Sequence, residues 1–177
     1  MFDKLANVST VSLSHSLSNY AMKSPLLSKY THVCLPNPID TKLFSPLDRR
    51  IARDLLTLPQ HKKLILFGAM SATSDINKGY KELTKAMLLV NTDVELVVFG
   101  SSKPKISQDF TYKPHYLGRL YDDVTLKVLY SAADVMVVPS LQEAFGQTAS
   151  EAMACGTPVV AFATTGLLDI VDHRING

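Results

Sequence analysis

A chain of 177 residues has room for one domain of ordinary size. Its apolar fraction of 46% and charged fraction of 19% are those of a globular domain with a good core. The net charge is only +2, with Lys and Arg spread along the chain, so no basic run points to nucleic acid as a partner.

Apolar runs such as 96–99 and 135–139 are strand-length, and none reaches the length of a membrane span. The N-terminus carries no apolar signal-peptide core, which predicts a cytosolic chain. Cys34 and Cys155 lie in apolar contexts without metal-ligand spacing and read as buried, reduced thiols. His15, His32, His61, His115 and His173 are scattered without metal-binding pairs, so no metal is expected.

In chain order, segment 1–45 is serine-rich and low in apolar periodicity. It ends in Leu35-Pro-Asn-Pro-Ile-Asp40 and Phe44-Ser-Pro46, where prolines keep the backbone stiff and extended. A first buried strand reads at Leu64-Ile-Leu-Phe67. Gly68 follows it, and a loop of small polar residues (71–77) leads to Lys78-Gly79. Tyr80, Leu83, Met87 and Val90 then recur at helical spacing and give one apolar stripe. Glu95-Leu-Val-Val-Phe99 is a second strand, and His115-Tyr-Leu117 a short additional one. Val124, Val128, Leu129 and Ala132 mark a second helix, with Asp122 or Asp123 placed to cap its start. Val135-Met-Val-Val138 and Pro158-Val-Val-Ala-Phe162 are the last two strands.

Continuous apolar strands of this kind sit in parallel sheets covered on both faces. Their alternation with helices predicts an α/β fold: a Rossmann-like, doubly wound parallel sheet. Ligands of such sheets bind beyond the carboxyl ends of the strands, here in loops 68–78, 100–103, 139–146 and 163–169. Gly68-Ala-Met-Ser does not supply the G-x-G-x-x-G of a dinucleotide oxidoreductase, and no G-x-x-x-x-G-K-[ST] loop of a P-loop phosphotransferase is present.

The densest signal is Glu143-Ala-Phe-Gly-Gln-Thr-Ala-Ser-Glu151-Ala-Met-Ala-Cys-Gly-Thr-Pro-Val-Val-Ala161. Seven residues separate the two carboxylates, which stand astride a Phe145-Gly146 turn that opens a short helix ending at Gly156. The start of that helix offers free N–H groups and a positive dipole end to an anion. One carboxylate lies in front of the helix and the other inside it. The pattern suits a phosphate flanked by hydroxyl-bearing groups.

This string resembles the E-x7-E signature of the group 1 (family 4) glycosyltransferases, and the match is nearly complete from Glu143 to Ala161. The resemblance implies the C-terminal half of a GT-B fold. Residues 1–45 would be the tail of the N-terminal domain and the interdomain linker, and 46–177 the nucleotide-sugar-binding domain, truncated at its C-terminus. The family crossover reads Pro-Asn-Gly, and Pro38 replaces that glycine here.

The implied function is retaining transfer of a sugar from a nucleotide diphosphate sugar to a glycan or lipid-linked acceptor. This chain would be the donor-binding part, inactive without the rest of the N-terminal domain. No cofactor is implied, and peripheral contact with the inner face of the plasma membrane fits the family. A non-catalytic nucleotide-sugar-binding module and a GT-B-fold sugar-nucleotide epimerase are the alternatives.

By the same resemblance, Glu151 accepts from the donor's ribose hydroxyls, because both carboxylate oxygens can accept. Glu143 contacts the transferred sugar as nucleophile, electrostatic stabiliser or hydroxyl anchor. Phe145, Gly146, Gln147 and Thr148 supply the turn and amides for the phosphate, beside Gly68 at the end of the first strand. Lys78 neutralises the diphosphate as it departs. The family also carries an arginine directly after that strand's glycine, where this chain has Ala69. Asp169 falls where the family has the acid of Gly-x-x-Glu, and reads equally as a helix-capping aspartate.

Overall fold

The computed structural model describes residues 7–68, 70–71, 73–101 and 113–177. Within 1–45, where the sequence shows little periodicity, the chain forms a small parallel unit. Strand β1 (Ser9–Ser12) leads into helix α1 (His15–Lys23), which returns to β2 (Thr31–Cys34) paired in register beside β1. Ser14 caps α1 by accepting from the Leu17 amide at 3.3 Å. Short strands with exposed Val11 and Val33 leave little hydrophobic pattern to read.

The main sheet has five parallel strands: β3 (Lys63–Gly68), β4 (Val94–Phe99), β5 (Pro114–Gly118), β6 (Val135–Val138) and β7 (Val159–Ala161). Their order is β5-β4-β3-β6-β7. The chain therefore winds one way from β3 and then the other way from β6. All five expected strands form, and the expected helices appear as α3 (Tyr80–Met87), α4 (Asp123–Ala132) and α5 (Gln147–Ala154). Of the two aspartates, Asp122 is the cap of α4, accepting from Thr125 N at 2.8 Å.

Alternation along the strands divides the core in two. Leu64, Leu66, Val97, Phe99, Met136 and Val159 join α4 and α5 on one face, whereas Phe67, Leu96 and Val98 pack with Leu83 and Met87 of α3 on the other. A Leu side chain buried as completely as Leu64 or Leu66 contributes roughly 2 kcal/mol. Val90, expected on the stripe of α3, lies past its end and is partly exposed.

Helix α2 (Arg49–Leu55) carries no apolar stripe, so the sequence does not announce it. It is held by a buried arginine. Arg53 donates from Nε to Ala132 O (2.9 Å), from one terminal nitrogen to Gln60 O and Lys62 O (both 3.1 Å), and from the other to Asp134 (2.7 Å). The linker before it packs down as well: Phe44 is buried in the core, and the Leu47 amide donates to Ser131 Oγ at 3.2 Å.

Candidate functional site

Strands β3 and β6 pair over only two residues, Ile65 with Val135 and Leu66 with Met136. The loops that leave them run in opposite directions, which opens a crevice at the carboxyl end of the sheet. Lys78 closes a short 3-10 turn (Ile76–Lys78) on the β3 side, and Glu143 lies in the loop after β6. Lys78 Nζ donates to Glu143 Oε2 at 2.9 Å, with both side chains about one-fifth exposed. Two residues 65 positions apart thus meet at the switch point.

Backbone geometry sets this meeting. The Leu141 amide donates to Asn77 O at 2.8 Å, tying the two loops together. Gly79 has φ +69°, and a Cβ there would stand 1.8 Å from Pro139 O. Gly79→Ala is therefore expected to push the loops apart. The measurement is a crystal structure of the variant, in which a Lys78–Glu143 distance still near 2.9 Å would contradict this account.

Glu143 is gripped from its other side by the turn at Thr165–Asp169. Its amide donates to Thr165 Oγ1 (2.8 Å), and its carbonyl accepts from the Gly166 amide (2.9 Å). Sequence reasoning named that loop but not Thr165, whose hydroxyl gives no signal without the fold. Asp169 points away, to α1: its Oδ2 accepts from the His15 amide at 2.6 Å and lies 3.1 Å from His15 Nδ1. It thus ties the Thr165–Asp169 turn to the start of α1, beside the Ser14 cap. Cys34, half-buried rather than buried, sits with these two so that the three potential ligand atoms lie within 4.8 Å of one another.

Helix α5 starts at Gly146, in a left-handed conformation (φ 106°) with no side-chain cap. Among the described residues no acceptor meets the amides of Gly146, Gln147 and Thr148, so they are free for an anion. Phe145 is buried beneath this turn. Gly68 ends β3 against the Phe99 ring, where an added Cβ would come within 2.3 Å. A cleft of about 420 Å³ lies between Ser16, Leu17 and Tyr20 of α1 and the loops that carry Lys78, Glu143 and Thr165. Ala69 and the loop from 102 to 105 lie outside the described residues.

Glu151 does not join Lys78 and Glu143. It is buried on α5 and accepts from Tyr130 Oη of α4 at 2.7 Å. Burial pushes its carboxyl up from the usual range, opposed by the hydrogen bonds from Tyr130 and Gln147. Tyr130 was not visible as a site neighbour, because it lies 21 positions from Glu151, on another helix, with β6 between them. Burial also raises the Cys155 thiol to about 11, which leaves it protonated and unreactive.

An open parallel sheet with a cation–carboxylate pair at its switch point, beside an uncapped helix start, is the arrangement of a ligand site on a Rossmann-like domain. Residues 61–177 match the profile of the glycosyl transferases group 1. An uncharacterized glycosyltransferase of Methanocaldococcus jannaschii is 40% identical over 126 residues, which are 66% of this chain and 31% of that protein. Sucrose-phosphate synthase from Thermosynechococcus elongatus superposes with a TM-score of 0.78 at 31% identity, covering 93% of this chain and 43% of that one. The fold also matches Anabaena HepE in complex with UDP-glucose, with a TM-score of 0.73 at 21% identity over 94% of this chain and 48% of that one. The chain belongs to the group 1 glycosyltransferases. It spans about a third of the length of the curated relative it matches.

Proposed function

We propose that this chain is the donor-binding part of a retaining glycosyltransferase that moves a sugar from a nucleoside diphosphate sugar to a glycan or lipid-linked acceptor at the cytoplasmic side. The observation that carries the reading is the Lys78–Glu143 pair beside the free amides of α5. When the bond from the anomeric carbon to the diphosphate breaks, the leaving oxygens gain charge. The amides of Gly146, Gln147 and Thr148 and the Lys78 ammonium are placed to stabilise that charge, and such stabilisation grows as the bond lengthens. Glu143, which lines the cleft together with Lys78, faces the sugar in this reading. The acceptor enters from the side of α1, where the rest of the N-terminal domain of a GT-B enzyme would stand. The UDP-glucose bound to HepE supports a nucleotide-sugar donor.

Calorimetric titration with UDP, GDP and ADP, without added metal, tests this. One of them is expected to saturate. Glu151→Ala is expected to weaken it by about 1–3 kcal/mol, the cost of leaving ribose hydroxyls unpaired. Unchanged affinity in that variant would remove Glu151 from the donor site. Binding without any transfer by the full enzyme would favour the binding-module alternative.

A further inference from the structure

The contact between α4 and α5 carries more than packing. Tyr130 is completely buried, with its ring edge-on to Phe99 (centroids 5.9 Å apart) and tilted against Phe44 (6.3 Å). Its carbonyl accepts from Thr157 Oγ1 at 2.6 Å, so both ends of the residue are fixed. The hydroxyl then has one direction to donate, toward Glu151 Oε2 at 2.7 Å. Burial and the neighbouring Glu151 charge raise the phenol far above its ordinary range, which keeps it a donor at any working pH. One turn earlier on α5, the Gln147 side chain faces the same carboxylate, and its Oε1 is buried without a partner among the described residues. The Gln147 amide thus helps Tyr130 hold the carboxylate from a second side.

We propose that Tyr130 is a positioning residue for donor recognition: its hydroxyl holds the Glu151 carboxylate in one orientation so that Glu151 meets a pair of ligand hydroxyls. The inference rests on the reading of Glu151 as the ribose contact. A carboxylate oxygen has two acceptor positions, and Tyr130 takes one of those on Oε2. The Gln147 side chain takes another, and the remaining positions stay available. Without Tyr130 Oη the side chain is free to turn, and the hydroxyls lose a fixed partner. A helix glutamate does not orient itself. The neighbouring helix does it.

The test is a set of titrations on wild-type protein and Tyr130→Phe, using UDP, GDP and ADP, each paired with its 2′,3′-dideoxy form. Wild type is expected to bind the ribonucleotide more tightly than the dideoxy form. Tyr130→Phe is expected to weaken the ribonucleotide about fivefold, the scale of one hydrogen bond to a charged group's partner set, and to leave the dideoxy form within twofold. Equal weakening of both forms would overturn the proposal in favour of general packing. No change in either would overturn it by showing that α5 alone orients Glu151. Wild type that binds both forms alike would remove the ribose reading itself, and that outcome is distinct from the other two. Tyr130→Leu, measured alongside, is expected to weaken the ribonucleotide at least as much. If Tyr130→Leu retains wild-type preference, the hydroxyl has no part in recognition.

Discussion

Replacing Lys78 by methionine is expected to lower turnover of the full enzyme about 10²- to 10³-fold, the cost of removing one preorganised stabiliser of developing negative charge. Three features put the effect at this size. The ammonium is about one-fifth exposed, so water screens it only in part. It is already aimed at the crevice by its 2.9 Å bond to Glu143, so little reorganisation is needed when a diphosphate arrives. Its removal leaves Glu143 unneutralised next to an incoming polyanion, which adds repulsion to lost attraction. The substitution is expected to weaken a nucleoside diphosphate far more than the parent nucleoside. Steady-state rates with the sugar nucleotide and titrations with the two ligands measure both effects. Equal losses for nucleoside and diphosphate would mean that Lys78 supports the fold and not the leaving group.

Arg53→Met is expected to destabilise the domain by about 3 kcal/mol, the low end of the range for breaking a buried pair from one side. Asp134 does not lose every partner, because Arg49 (3.2 Å) and Lys63 (3.4 Å) remain, as does the Leu64 amide at 2.8 Å. The carbonyls of Ala132, Gln60 and Lys62 have no such reserve once the guanidinium is gone. Burial alone would raise the Asp134 carboxyl, but the Leu64 amide and Arg53 outweigh it and hold it below the usual range. A carboxyl depressed in the folded state stabilises above its unfolded value, near 4, and loses that contribution as pH falls through the folded value. The gap between wild type and Arg53→Met is therefore expected to be full at pH 7 and to narrow as pH falls below about 4. Urea unfolding across that range measures it. A pH-independent gap would assign the whole effect to the carbonyl contacts.

The sheet was readable because its strands are continuous apolar runs, and α4 and α5 have plain starts or stops. Asp122, Gly146 and Gly156 mark those boundaries in sequence and in the structure. What escaped was short or held by polar contacts. Helix α2 is fixed by Arg53 to carbonyls outside the helix, and β1 and β2 pair through half-exposed residues. At the site, Lys78 and Glu143 were each legible from local pattern, but their ion pair depends on strand order, which no local pattern carries. Glu151 was legible as a residue, whereas its partner Tyr130 required knowing which helix lies beside α5.

The close fit of Gly79 under Pro139, with the Leu141–Asn77 bond beside it, has a consequence for protein engineering. Segments 71–79 and 139–143 behave as one interchangeable part and not as two. A chimera that imports the lysine segment from another family member must bring that member's glutamate segment with it. Mutant libraries aimed at this cleft should hold position 79 as glycine and keep Asp75, which caps the turn that carries Lys78, and spend their diversity on Gln142.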